Sequence, residues 1–286
     1  MPINWVDLRR ISDIVQRDLD AYGLDEHEDY ESVFAMWEAE LADVKESSTS
    51  TAGWYTSGAK YWEDENNCPP NDQGVLGGYG HISPVDVEGS SRFLDRVQEL
   101  RPGMGRQLAI GVSFSESHGF IAFKVDCGCG VGRVVKNLLL PRFDAVDCLE
   151  QCQRLLNTVP SYIGNASDTA RIRNLYCMGM QDFQPEAGTY DLIWCQWVLG
   201  HLTDSDFVEF MKRCQAALAP NGVICIKENA INEGAPYYVD KDDSSLGRSP
   251  VYYKSLFRQA GLTLVAEAEQ SDFPDELYPV VSYALY

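Results

Sequence analysis

Three glycines spaced two residues apart form the most distinctive chemical feature of the sequence. Gly128, Gly130 and Gly132 follow an apolar run that predicts a buried strand. Because glycine tolerates backbone conformations that other residues avoid, such a turn can bring bare main chain close to a ligand. The amides at the start of the next helix can then face an anionic group. A dinucleotide fingerprint would place a glycine at position 133. This chain has Arg133 there, well placed to pair with a carboxylate.

A carboxylate follows at the end of the next predicted strand. Glu150 lies 22 residues after Gly128, where a side chain can accept hydrogen bonds from both hydroxyls of a ribose. Taken alone, the glycines are also consistent with a plain tight turn and a solvated glutamate. The turn, the acid at this distance and the break over Leu218–Gly222 before a fifth strand together favour a cofactor site.

Short apolar runs alternate with helical stretches from about residue 119 onward. This alternation implies an α/β fold with a doubly wound sheet of five parallel strands, followed by a C-terminal antiparallel pair. Helices are predicted over 131–140, ending at Pro141, and over about 204–218. The predicted strands are 120–125, 144–149, 171–177, 191–195, 223–226, 262–266 and 280–285.

The first 50 residues differ in composition from the rest. They hold 13 acids and 4 bases, and apolar residues recur at helical spacing in two places. We therefore predict an acidic helical appendage over 1–50, ending in the polar run 47–51, and a main domain over 51–286. The helical positions are Leu8, Ile11, Val15 and Leu19, then Phe34, Trp37, Leu41 and Val44.

Composition excludes several classes of function. The net charge is −20 and the pI about 4.5, whereas binding to nucleic-acid phosphates or to anionic membranes relies on Lys and Arg. The 45% hydrophobic content excludes global disorder. No run approaches the ~18 apolar residues of a membrane helix, and the N-terminus lacks a secretory signal pattern. We expect no direct nucleic-acid partner and no membrane association.

Nine cysteines are scattered through the chain without a C-x-x-C pair, and most lie in apolar runs. Small buried hydrophobes in a reducing compartment are therefore favoured over disulfides or a zinc site. We expect an intracellular protein, cytoplasmic or nuclear, with no bound metal.

The motif Asp126-x-Gly128-x-Gly130-x-Gly132 resembles the first motif of class I S-adenosylmethionine-dependent methyltransferases. From about Trp54 to Tyr286 the chain further resembles one subfamily, the protein N-terminal methyltransferases that modify the α-amine of X-Pro-Lys N-termini. The resemblance implies the Rossmann-like fold of that class and S-adenosyl-L-methionine as cofactor, with S-adenosyl-L-homocysteine as product. It also implies a substrate-capping segment over 54–95. The strings that carry it are 74–83, 179–183, 193–204, 221–229, 240–245 and 274–278.

Site residues are implied by position within that resemblance. The implied cofactor contacts are Gly128, Arg133, Glu150, Met180, Gln181 and Gln196. The implied peptide groove comprises Tyr61, Trp62, Leu76, Gly77, Ile82, Trp197, Asp240, Ser245 and Tyr278. The implied catalytic residues are Asp243, His201 and Asn229. Two departures from the family pattern are an insertion over about 104–118 and a slightly longer loop between Asn229 and Asp240.

Methyl transfer to an amine requires that the amine be neutral, and a free α-amino group has a pKa of about 7.7–8.0. Asp243 and His201 are the candidate bases that would accept its proton. Without the resemblance, His201 is equally consistent with a helix-capping or core histidine, and Asp243 with a solvated loop acid. The implied partners are proteins with basic X-Pro-Lys N-termini. Two alternatives stay open: a small-molecule amine methyltransferase and a non-catalytic scaffold that keeps the cofactor site.

Overall fold

The structure is a computed structural model and describes residues 4–24, 27, 29–42, 52–102, 123–231 and 234–286. Several predicted features lie outside these residues. They are Val44, the polar run 47–51, the insertion over 104–118, the first residues of the strand predicted over 120–125, and part of the loop between Asn229 and Asp240.

A seven-stranded sheet forms the centre of the chain, in the order β3-β2-β1-β4-β5-β9-β8. The first five of its strands are parallel, and β9 pairs antiparallel with both β5 and β8, which confirms the predicted doubly wound sheet and its C-terminal pair. The strands of the chain are β1 Phe123–Cys127, β2 Ala145–Glu150, β3 Ile172–Cys177, β4 Tyr190–Gln196, β5 Leu218–Asn229, β6 Tyr237–Asp240, β7 Ser245–Arg248, β8 Leu264–Glu269 and β9 Val280–Leu285.

The fifth strand starts earlier than the sequence predicts. Leu218 already pairs with Tyr190 of β4, and the register then shifts before Val223 pairs with Leu192. Asn221 has a left-handed φ of 68°, so the predicted break is a local irregularity inside the strand and not a separate loop.

Helices cover both faces of the sheet. The central strand β4 therefore buries nearly every side chain. Ile193 and Cys195 contribute to the core on one face, whereas Leu192 and Trp194 contribute to the core on the other. The helices are α1 Trp5–Ala21, α2 Val33–Glu40, α3 Ala52–Glu63, α4 Asp72–Val75, α5 Ser83–Leu100, α6 Gln153–Ile163, α7 Ala166–Thr169, α8 Asp204–Ala217 and α9 Pro250–Gln259, with a π-helical turn at Val135–Leu139.

The acidic N-terminal segment forms the two helices that its apolar spacing predicts. Leu8, Ile11, Val15 and Leu19 of α1 are buried, as is Trp37 of α2. They share a hydrophobic core with α8, α9 and one face of the sheet. The described part of residues 1–50 is therefore packed into the main fold, and the domain boundary at residue 50 stays a prediction.

A short antiparallel hairpin, β6–β7, follows β5 and was not predicted. It carries Asp240 and Ser245, with Asp243 in the turn between its strands. All nine cysteines are free, and only Cys177 is exposed. In the described ranges, no helix has the length and apolar character needed to cross a membrane.

Candidate functional site

A cavity lies at the carboxyl ends of β1, β2 and β4, the position at which open α/β sheets bind ligands. Every residue that the sequence predicts to contact the cofactor lines it, namely Gly128, Arg133, Glu150, Met180, Gln181 and Gln196. Trp62, Trp197 and His201 from the predicted groove and catalytic set line the same cavity. The cavity therefore brings all predicted cofactor residues together with two of the predicted groove residues and one predicted catalytic residue.

The glycine turn is shaped by its neighbours in the protein. Gly128, Gly130 and Gly132 all have positive φ, at 78°, 54° and 89°. A Cβ at position 128 would lie only 2.5 Å from a methyl carbon of Val198, and one at position 132 would lie 3.1 Å from Val159. The turn that opens the cavity consequently requires glycine on steric grounds even before a ligand is considered.

Glu150 ends β2 with its carboxylate held by backbone amides. Gly130 donates to Oε2 and Cys152 donates to Oε1, both at 2.9 Å. Burial raises the pKa of Glu150, and these amides oppose the rise. A carboxylate offers about four acceptor sites, so the two amides orient the group and leave sites for further donors in the cavity.

A buried carboxylate that the sequence analysis did not single out holds two of the predicted cofactor residues. Asp86 on α5 accepts from Arg133 Nη1 at 2.7 Å and from Gln196 Nε2 at 2.9 and 3.0 Å. Lys227 Nζ donates to the same carboxylate at 2.5 Å. The Gln196 carbonyl accepts from Trp194 Nε1 at 3.1 Å, so both ends of this amide already have partners in the protein.

The charges around Asp86 are nearly isolated from solvent, since Asp86, Arg133 and Lys227 are 1%, 4% and 0% exposed. Burial alone would raise the pKa of Asp86, but the two cations outweigh it and hold that pKa below its usual value. Two cations against one carboxylate leave one excess positive charge beside the cavity. Such a charge suits an anionic ligand group.

Asp126, the first residue of the glycine motif, provides the opposite charge. It is buried, lines the cavity, and its Oδ2 has no hydrogen-bond partner among the described residues. Burial raises its pKa to about 7. Unpartnered buried polar atoms are rare in folded proteins, so this oxygen marks a position where a ligand donor would be accommodated.

This buried carboxyl predicts a pH dependence of stability. With a pKa of about 7 in the folded chain against 3.8 ordinarily, the folded state retains between these values a proton that the unfolded state has released. The contribution of Asp126 to the free energy of unfolding is fully present below its pKa in the unfolded state. It is lost as the pH rises through its pKa in the folded state. We expect the Tm of cofactor-free Asp126→Asn, relative to that of the unmodified chain, to rise from about pH 5 to about pH 8. Thermal unfolding across this range checks it, and a Tm difference that does not change with pH would contradict it.

Trp197 lies in a constrained loop directly after β4. Its φ is 53°, an unusual value for a tryptophan, and its indole nitrogen donates to Asn229 Oδ1 at 3.1 Å. Glu228 Oε1 accepts from the amides of Val198 and Leu199, both at 2.9 Å, and burial raises the Glu228 pKa to about 7. The end of β5 therefore holds the loop that presents the Trp197 ring.

His201 has a partner at each ring nitrogen. Trp62 Nε1 lies 3.1 Å from Nε2, and the Ser244 carbonyl lies 3.1 Å from Nδ1. An indole N–H can only donate and a carbonyl can only accept. These contacts therefore select the neutral form with its proton on Nδ1, and direct the Nε2 lone pair at Trp62. In this arrangement His201 has no ring nitrogen free to accept a further proton.

Asp243, unlike His201, has a polar atom without a hydrogen-bond partner in the described part of the chain. Its Oδ1 is buried without a hydrogen-bond partner among the described residues. Burial raises its pKa, opposed by a hydrogen bond with Ser245. Burial and the nearby Asp243 also raise the pKa of Tyr61. A half-buried carboxylate with an unused oxygen, beside the cavity wall at His201, has the properties of a general base.

The other predicted groove residues lie away from the cavity wall. Leu76 and Ile82 are buried, whereas Tyr278 is 50% exposed. Gly77 has a φ of 55° and nothing within 4 Å of where its Cβ would be, so its main chain can be approached closely. Asp240 Oδ1 accepts from the Asp242 amide at 2.9 Å. None of these residues, all within the described chain, lines the cavity, and their part in a groove stays a prediction.

Comparisons with known proteins place the chain in a family. Residues 50–286 match the family described as AdoMet dependent proline di-methyltransferase. The mouse N-terminal Xaa-Pro-Lys N-methyltransferase 1 is 43% identical over 232 residues, covering 81% of this chain and 95% of the mouse protein. The Arabidopsis thaliana alpha N-terminal protein methyltransferase 1 is 39% identical over 269 residues, covering 93% and 91%. A solved structure of a Leishmania major SAM-dependent methyltransferase, 36% identical, has a TM-score of 0.74 and covers 90% of this chain and 92% of that chain.

These matches confirm the resemblance found in the sequence and extend it. The Arabidopsis match covers 93% of this chain, so it includes part of residues 1–50, whereas the motifs in the sequence begin only at about Trp54. The residues that line the cavity, among them the glycine turn, Glu150 and Asp126, lie within the matched residues 50–286. The chain belongs to the AdoMet-dependent proline di-methyltransferase family and is an S-adenosylmethionine-dependent methyltransferase.

Proposed function

We propose that this chain transfers methyl groups from S-adenosylmethionine to the α-amino group of protein N-termini that begin X-Pro-Lys. The observation that carries the proposal is Asp243, a desolvated carboxylate with an unused oxygen. It neighbours His201 and Ser244, both of which line the cofactor cavity. The name of the mouse relative specifies Xaa-Pro-Lys N-termini, and the name of the Arabidopsis relative specifies protein α N-termini, and both support the proposal.

The residues around the cavity fit the cofactor. Its amino-acid part carries both a carboxylate and an ammonium group, which match the cation of Arg133 and the unpartnered oxygen of Asp126. Glu150 would accept from the ribose hydroxyls. Met180 is buried in the wall of the cavity and would cover apolar surface. When bound, the cofactor supplies a methyl group on a positively charged sulfur.

The chain's own contribution is to position the amine and remove its proton. We assign the proton transfer to Asp243, because both nitrogens of His201 are engaged by Trp62 and Ser244. His201 then acts by fixing the Trp62 ring, which lies at 89° to the imidazole at a centroid distance of 5.8 Å. Trp62 and Trp197 would offer aromatic faces to the substrate's cationic N-terminus or its proline ring.

The acidic hairpin turn supports the proposed preference for a basic third residue in the substrate. Asp240, Asp242 and Asp243 lie within four residues of one another, and their charges already raise the pKa of the nearby Tyr238. Such a cluster attracts cations and raises the local concentration of a lysine-bearing peptide. We therefore place the substrate's lysine on the side of the groove formed by β6–β7.

A small peptide library tests the proposed function. We expect purified protein with S-adenosylmethionine to add methyl groups to an Ala-Pro-Lys or Ser-Pro-Lys peptide, as measured by mass spectrometry. An N-terminally acetylated peptide controls for the α-amine, because acetylation removes the nucleophile. An Ala-Ala-Lys peptide methylated as fast as Ala-Pro-Lys would favour the alternative of a small-molecule amine methyltransferase. No methylation of any peptide by cofactor-loaded protein would favour a scaffold.

A further inference from the structure

The N-terminal segment that contains α1 and α2 contacts the hairpin β6–β7 directly at two points and is linked to it at a third through Asp204, although it lies far from the hairpin in sequence. The imidazole of His27 stacks on Tyr237, with ring centroids 4.3 Å apart and planes 11° apart. Glu40, at the end of α2, lies 3.3 Å from Nζ of Lys241 in the hairpin turn. These contacts reach the first residue of β6 and the turn. The third contact reaches the end of β7 through a buried aspartate.

That aspartate is Asp204, the first residue of α8. Trp37 Nε1 donates to its Oδ2 at 2.9 Å, and Arg248 Nη2, at the end of β7, donates to its Oδ1 at 2.9 Å. All three side chains are fully buried. Tyr252 adds a third donor at 2.6 Å. Because buried charges are stable only when fully paired, Trp37 contributes to the network that holds the end of β7.

Arg248 also connects this network to the turn that carries His201. Its Nη1 donates to the Leu199 carbonyl at 3.2 Å and its Nη2 to the Leu202 carbonyl at 2.8 Å, on either side of His201. The network that begins at Trp37 therefore supports both the hairpin that carries Asp243 and the turn that carries His201.

We propose that the N-terminal helices α1 and α2 position the hairpin β6–β7 for substrate binding, with Trp37 and Glu40 as the positioning residues. The proposal rests on the proposed function, which places the substrate peptide against this hairpin. The proposal gives the acidic N-terminal segment a function, which its composition alone did not indicate. Neither residue lines the cofactor cavity. Trp37 packs against Trp54, which does line it, so we expect the larger effect on the peptide and a smaller one on the cofactor.

Trp37→Phe tests the proposal, because it keeps an aromatic ring in the buried site while removing the N–H donor to Asp204 together with part of the indole volume. A charge-assisted buried hydrogen bond is ordinarily worth a factor of about ten or more. We expect KM for an Ala-Pro-Lys peptide to rise about tenfold and the amides of 237–248 to exchange hydrogen about tenfold faster. We expect cofactor affinity to change less than about twofold. We expect kcat to fall by a smaller factor than KM rises, because the loosened hairpin also carries Asp243. Glu40→Gln, at the more exposed contact, should change the same two quantities about twofold.

Ile11→Val is the matched control, because it loosens the packing of α1 without touching the hairpin. It should lower Tm and leave peptide KM and hairpin exchange unchanged. Unchanged hairpin exchange in both test variants would overturn the proposal, as would an equal acceleration in the hairpin and in β1, which would mean general destabilisation. If the unmodified chain methylates no peptide, the proposed function fails, while the exchange measurement still decides whether the helices hold the hairpin.

Discussion

Replacing Asp243 by asparagine is expected to abolish turnover while leaving the cofactor bound. The substitution keeps the shape of the side chain and removes its capacity to accept a proton. General-base catalysis contributes about 10²–10⁴-fold, so kcat for an X-Pro-Lys peptide should fall by that factor. Cofactor affinity should change less than about twofold, because Asp243 does not line the cavity that holds the predicted cofactor residues.

The exposed neighbour Asp242 provides the control for this experiment. Asp242→Asn removes the same charge from the hairpin turn but leaves the buried carboxylate in place, so it should raise peptide KM with little change in kcat. Steady-state kinetics with isothermal titration of the cofactor separates the two outcomes. An Asp243→Asn enzyme that keeps more than about a tenth of the original kcat would exclude Asp243 as the base and return that role to His201.

The effect of Trp62→Phe on kcat distinguishes the two candidate bases further. Burial raises the pKa of Asp243. Its carboxylate is therefore a stronger proton acceptor than that of an exposed aspartate. His201 could accept a proton only if Trp62 gave up its hydrogen bond to Nε2. If His201 were the base, Trp62→Phe would free Nε2 and raise kcat. If Asp243 is the base, as we propose, the same substitution should lower kcat by releasing the His201 ring.

The sheet could be predicted from sequence because most of its strands are apolar runs bounded by breaks, whereas the mixed run of β8 lies at 264–269 and not at the predicted 262–266. The predicted run 280–285 coincides with β9, and 171–177 differs from β3 by one residue. The hairpin β6–β7 could not be predicted in this way. Its strands are four residues long and mix polar with apolar residues, so they carry little periodic signal. They are held largely by contacts with distant segments.

The candidate site likewise contains residues that could be predicted from sequence and residues that could not. Glycine spacing and the distance to Glu150 are local features, and the resemblance gave the remaining cofactor positions, all of which line the cavity. Asp86 was missed because its partners Arg133, Gln196 and Lys227 come from three other segments, and no local pattern marks a residue whose importance comes from such convergence.

That convergence gives the second large prediction. Asp86→Asn should destabilise the folded chain by about 3–5 kcal/mol, the usual cost of removing one partner of a buried ion pair. Asparagine offers one acceptor oxygen where Asp86 offers two, and it leaves Arg133 and Lys227 as two uncompensated buried cations. Cofactor affinity should fall at least about tenfold, because Arg133 and Gln196 lose their common anchor.

Lys227→Met in the Asp86→Asn background separates charge from packing. Removing the second cation restores the original excess of one positive charge, so the double variant should be more stable than Asp86→Asn alone. The coupling free energy, measured by urea unfolding of all four proteins, should exceed about 1.5 kcal/mol. Cofactor affinity should stay low in the double variant, because the loss of Asp86 as an anchor is not repaired. Additive effects on stability would mean that the Asp86–Lys227 contact contributes nothing specific, whereas recovered cofactor affinity would mean that Asp86 acts through charge and not through orientation.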